Sequence, residues 1–218
     1  MTALRPLWQR LRSIRRDQRG IAFVEFALRL PIFIMVLFAA LEMTQLTLTK
    51  MKVQRLANMT ADLVSQNGVS GNQLTELQMY DILEAMNVGA KPMNMTDEGR
   101  IVISAVMGVD TNNDGTSDKN QILWQRFDGG LLEAAPLLGC VTTQPNATLP
   151  NNRRLTNAEV MYHTQVTYRY EPLFAGQVLA WLDVNEMINA TAAFRGRTSS
   201  YRTILTTPGY PAKDNCSA

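Results

Sequence analysis

From Ile21 to Leu48 the chain is apolar apart from Glu25, Arg29, Glu42, Gln45 and a few threonines, and its uninterrupted apolar run is Leu30 to Leu41. That run is short for a membrane span and close to the length of a signal-peptide core. The pattern continues past it, however. Met43, Leu46, Val53, Leu56, Met59/Thr60 and Leu63 come on three- and four-residue steps, with Lys50 the one charge in the stripe. No glycine or proline falls between Pro31 and Asn67-Gly68. This is the period of an amphipathic helix. It predicts one helix from Ile21 to Gln66, roughly 70 Å long, its first half in lipid and its second half packed on a body. No small-x-small site comes after the apolar run, so the segment reads as a retained anchor rather than a cleaved signal peptide. Pro31 removes one backbone hydrogen bond and predicts a kink.

Beyond the turn cluster at residues 67–71, Leu74, Leu77, Tyr80, Leu83 and Met86 mark a second helix from Gln73 to Asn87. A polar loop, Gly89 to Gly99, then leads into a buried strand, Ile101 to Val109, and a second strand, Gln121 to Phe127. From Glu159 to Glu171 hydrophobic and polar residues alternate, with Val160, Tyr162, Thr164, Val166, Tyr168 and Tyr170 on one face. That is a half-buried strand with a polar face carrying His163, Gln165 and Arg169. A helical stretch around Ala175 to Val184 and a last strand, Met187 to Arg195, complete the pattern, while residues 128–157 read as a long irregular surface loop. Helices succeeded by an antiparallel sheet define an α+β fold, pilin-like in having one long N-terminal helix. The organisation read here is a basic leader (1–20), a transmembrane segment (21–48) and an α+β domain (49–218).

Charge orients this arrangement. Residues 1–20 hold six arginines against Asp17, a net of +5, so the remainder carries −3 of the overall +2. A basic leader before an apolar segment places the N-terminus in the cytoplasm and exports the C-terminal part of the chain. With the basic charge confined to the leader, a nucleic-acid-binding body is not expected. Cys140 and Cys216 both lie in the exported part, where an oxidising compartment favours a disulfide over two free thiols. One histidine and no CxxC give too few ligands for zinc. Asp110, Asn112, Asp114, Gly115 and Asp118 have the spacing of a calcium loop, but Gln121 stands where the bidentate glutamate belongs. Calcium is the only cofactor suggested, and a polar hairpin turn is the alternative. None of the phosphate-binding, zinc-protease or serine-hydrolase signatures occurs, and no nucleophile is placed to work with His163.

The leader meets the helix at Arg19-Gly20-Ile21, and a carboxylate, Glu25, stands five residues past the glycine. An acid inside a membrane segment costs about 2.5–3.5 kcal/mol at a helix centre and less near its end, which suggests a use for it. Arg29 lies one turn on, with the acid on the favourable N-terminal side. The run RRDQRGIAFVEFALRLPIFIMVLFAALEM resembles the N-terminus of the TadE/TadG-like family of tight-adherence (Tad, Flp-type) pilus proteins, through Arg19-Gly20, Val24-Glu25-Phe26-Ala27-Leu28, Pro31 and Glu42. The strand end Tyr168-Arg169-Tyr170-Glu171-Pro172-Leu173 is similar to that family's periplasmic domain, less specifically.

The resemblance implies a non-enzymatic minor pilin or pseudopilin. It would be held in the bacterial inner membrane with its C-terminal domain periplasmic, among other pilus subunits and the assembly machinery. It further implies cutting by a prepilin peptidase after Gly20, leaving Ile21 as the new N-terminus, and a Glu25 that neutralises a neighbour's terminal amine. Two positions depart from the pattern: Phe26 where tyrosine is common, and Arg29 where an apolar residue is usual. The rival readings are a pseudopilin of a related secretion system and an anchored hydrolase with a pilin-like leader.

Overall fold

The computed structural model describes residues 20–66, 73–143, 145–173, 187–197 and 203–216. The first helix, α1, is Ile21–Gln66 and runs through Pro31 without a break. After it come α2 (Glu76–Ala90), the single-turn α3 (Met95–Glu98), and strands β1 (Gly99–Val109), β2 (Lys119–Asp128), β3 (Val160–Arg169) and β4 (Met187–Arg195). The strands form one antiparallel sheet in the order β2-β1-β3-β4, so the fold is α+β. The bounds expected for α1 and β4 match those observed. The helical stretch expected at Ala175 to Val184 lies outside the described residues.

The chain divides into two compact units, and α1 contributes to both. One comprises Met1–Gln45 with Leu173–Leu182. In it α1 is exposed around its whole circumference: Phe23, Leu28, Ile32 and Val36 are all more than 60% exposed. A helix apolar all round and exposed among the described residues has the character of a membrane span. Glu42, by contrast, is buried, and its carboxylate accepts the backbone N–H of Leu173 at 3.0 Å.

The other unit comprises Leu46–Pro172 with Asp183–Ala218. Here α1 acquires a buried stripe of Leu46, Val53, Leu56, Ala57, Thr60, Ala61 and Val64. At the Met59/Thr60 step it is Thr60 that faces inward, its hydroxyl donating to Leu56 O, while Met59 stays exposed. Met79, Ile82, Leu83 and Met86 of α2 join this stripe over one face of the sheet, where Ile101, Ile103, Ala105, Trp124, Val166, Ile188, Ala190 and Ala192 complete the core. α2 starts at Glu76 rather than Gln73 because Thr75 caps it: Thr75 Oγ1 accepts Gln78 N–H and Gln78 Oε1 accepts Thr75 N–H.

The other face of the sheet corrects two sequence expectations. β3 is buried on both faces along most of its length, including His163, Gln165 and Thr167, and residues 128–157 are its cover rather than a surface loop. Leu138, Ala147, Leu149 and Leu155 of that segment pack with Val106, Ile122 and Met161 in a second apolar cluster. The cover has no strand ladder, so sheet side chains satisfy its backbone instead. Gln165 accepts from Leu137 N and donates to Ala135 O, and Gln125 accepts from Val141 N and donates to Gly139 O. Arg100 donates to Leu132 O and Cys216 O. The polar side of β3 is thus polar in order to hold chain, not to meet water.

His163 lies under this cover, opposite Ser104, and burial lowers its pKa. The folded state therefore binds fewer protons than the unfolded one, and stability falls as pH drops below the unfolded value of about 6.5. Thermal melts at pH 7.5 and 5.5 are expected to show this loss, and His163→Gln to flatten it. An unchanged pH slope in the variant would show that the imidazole is not the group responsible.

Candidate functional site

The junction at Gly20 is the first site to place. Gly20 stands one residue before α1, in a right-handed turn, and a Cβ added there would meet nothing within 4 Å among the described residues. Nothing among the described residues therefore requires glycine at this position. Glu25 and Arg29 lie one turn apart on the exposed apolar half of α1 and form an ion pair, with both side chains more than half exposed. Intrahelical pairing meets the carboxylate's need for a counter-charge in the isolated chain. Ile21 and Phe26 beside them are exposed as well.

The Asp110–Asp118 loop joins β1 to β2. Oxygens of Asp110, Asp114 and Asp118 lie within 4.8 Å of one another. Each is already used by the turn itself: Asp110 accepts from Asn112 N and Gly115 N, Asp114 from Thr116 N, and Asp118 from Thr111 N. These bonds lower the Asp114 and Asp118 pKa values, the threonine hydroxyls of Thr116 and Thr111 contributing most. Asn112 accepts from Asp114 N, and Gly115 takes the left-handed conformation with φ +88. A tight polar turn between antiparallel strands makes such bonds without a cation, so the arrangement alone does not define a metal centre.

Cys140, in the cover, is bonded to Cys216, near the end of the chain, with 6.0 Å between the Cα atoms. Between them the tail lies along the body: Leu205 pairs with Thr75, Tyr210 packs edge-on against Tyr80, and Lys213 O accepts Phe127 N–H.

Sequence reasoning did not assign a role to Glu42 or to Glu76. Glu42 was detectable as an acid interrupting an otherwise apolar run. Glu76, with Arg126, forms a buried ion pair joining the start of α2 to β2, and nothing local marks either residue as buried.

The described residues thus hold an apolar N-terminal helix with a charged pair near its start, and a four-stranded α+β unit. Among the described residues that helix is the one long and apolar enough to cross a membrane. The family model for TadE-like protein matches residues 20–62. Over that segment the chain is similar to TadE-like protein; the match does not extend into the sheet. No curated protein and no solved structure matches the chain.

Proposed function

We infer that this chain is a minor pilin or pseudopilin-like assembly component of a Tad-type pilus, with no enzymatic activity. It is held in the bacterial inner membrane by residues 21–48, with the basic leader cytoplasmic and residues 49–218 periplasmic. A prepilin peptidase cuts it after Gly20. The observation that carries the reading is that nothing among the described residues requires glycine at position 20, yet Gly20 begins the segment that is similar to TadE-like protein. A peptidase that must admit the backbone closely supplies such a reason. The Cys140–Cys216 bond supports the periplasmic placement, since disulfides persist in oxidising compartments.

Once cut, the chain would present the α-amine of Ile21, and Glu25 could exchange Arg29 for a neighbour's ammonium group. An acid in lipid costs about 2.5–3.5 kcal/mol at a helix centre and less at Glu25, near the helix start, so an unpaired Glu25 weakens assembly by at most about a hundredfold. N-terminal sequencing of chain made with and without the peptidase is expected to give Ile21 and Met1 respectively, and Met1 in both hosts would end the processing claim. Glu25→Ala should still be cut but fail to assemble; unchanged pili would remove Glu25 from assembly.

A further inference from the structure

The two edges of the sheet are treated differently. β2 is covered along its free edge: Ile122 N–H is taken by Pro145 O, Asn120 O by Ala147 N–H, and Phe127 N–H by Lys213 O. β4, at the other edge, has no such cover among the described residues. Gly196 N–H bonds to Val160 O on β3, which sets the phase: even-numbered residues of β4 pair with β3 and odd-numbered ones turn their backbone groups outward. Thr191 O fits this phase, because it accepts a bond from Gln54 of α1, on the side away from β3. Among the described residues that is the one bond onto the outer backbone groups of Asn189, Thr191 and Ala193.

Exposed edges invite pairing, and proteins blunt them with lysine, proline or a bulge. β4 reads MINATAAFR, pairs with β3 in unbroken register, and carries none of these devices along its centre. A groove of ≈ 750 Å³ runs beside it, floored by Met187, Asn189 and Ala190 and walled by Lys50, Met51 and Arg55 of α1. Met51 is 64% exposed there. The cations nearby on the same elements are used: Lys52 donates to Lys91 O, Arg195 pairs with Glu159, and Arg197 pairs with Asp62. Lys50 and Arg55 make no hydrogen bond or ion pair among the described residues.

We propose that the outer edge of β4 and the Lys50/Arg55 wall form a docking site for an extended acidic segment of another protein, which adds to the sheet as a fifth strand. The edge supplies main-chain hydrogen bonds, and Lys50 and Arg55 select acidic side chains on the one face of the added strand that meets α1. The site goes beyond the assembly role inferred above and does not depend on processing, because cut and uncut chains present the same edge.

The test uses the full chain in detergent micelles. The probes are a fluorescein-labelled peptide TEVEVEVT, its basic counterpart TKVKVKVT, and phosphatidylglycerol vesicles. The acidic peptide is expected to bind by anisotropy and to slow hydrogen exchange at the amides of Asn189, Thr191 and Ala193, with the basic peptide at least about tenfold weaker. Ala193→Pro removes one outward donor while sparing the β3 ladder, and should abolish that protection. Lys50→Glu with Arg55→Glu, two exposed changes that leave the edge intact, should invert the preference between peptides even where the proline variant folds poorly. Equal binding of both peptides would overturn the proposal, as would protection elsewhere than β4. So would protection by the vesicles instead of the peptide, or concentration-dependent protection with no peptide, which would mark a second copy as the occupant. A failure here leaves N-terminal sequencing unaffected, so the two readings fall separately.

Discussion

Arg126→Ala is expected to destabilise the folded body by about 3–5 kcal/mol, the cost of leaving a buried charge without its partner. Arg126 Nε lies 3.1 Å from each Glu76 carboxylate oxygen, and Glu76 keeps 2% of its side-chain surface exposed. The guanidinium also donates to Gln125 O and sits 5.8 Å from the Trp124 ring centroid. Glu76 opens α2 and its own N–H is bound to Leu205 O, so neither the helix nor the tail can move away and hydrate the carboxylate cheaply. Removing both charges is a different case. Glu76→Leu with Arg126→Met replaces the pair by apolar groups of similar bulk and should come out near neutral, within about 1–2 kcal/mol. Urea unfolding of the three proteins, monitored by circular dichroism, measures the contrast. A single-variant loss below about 1 kcal/mol would mean that the pair behaves as a solvated surface bridge.

Such a pair shows where sequence reading stops. α1 is legible from Ile21 to Gln66 because its signal is a continuous period carried by adjacent turns, and the Gly20–Glu25 spacing is legible because its parts lie within six residues. The start of α2 is misplaced by three residues when the apolar stripe is read without the Thr75–Gln78 capping box. β3 is the more instructive failure. Its alternation is real, but alternation shows only that two faces differ, not that the polar one is wet. Gln165 is buried because Ala135 and Leu137, roughly thirty residues earlier, need their backbone groups satisfied. A requirement of that range leaves no local trace. The open edge of β4 is hidden for the same reason, since an edge is a property of strand order, and MINATAAFR would read alike in the middle of a sheet.

Reducing the Cys140–Cys216 bond is expected to lower stability by about 4–5 kcal/mol in the chain-entropy model, given the 76-residue separation of the two cysteines. For a body of this size that corresponds to roughly 10 °C or more in melting temperature. The bond does more than close a loop. Cys140 belongs to the cover over β1 and β3, and the tail that carries Cys216 shields the free edge of β2 through Lys213. Arg100, buried between them, donates to Leu132 O in the cover and to Cys216 O in the tail. Loss of the cross-link should therefore first expose the Phe127 amide, which depends on Lys213 O, and only then loosen the amides of α2. Cys140→Ser, Cys216→Ser and the double variant should be equally destabilised, because each removes the same single constraint. Thermal melts with and without reductant, paired with hydrogen exchange at Phe127, separate the outcomes. A melting temperature that does not move on reduction would show that the contacts of Leu205, Tyr210 and Lys213 hold the tail without the disulfide.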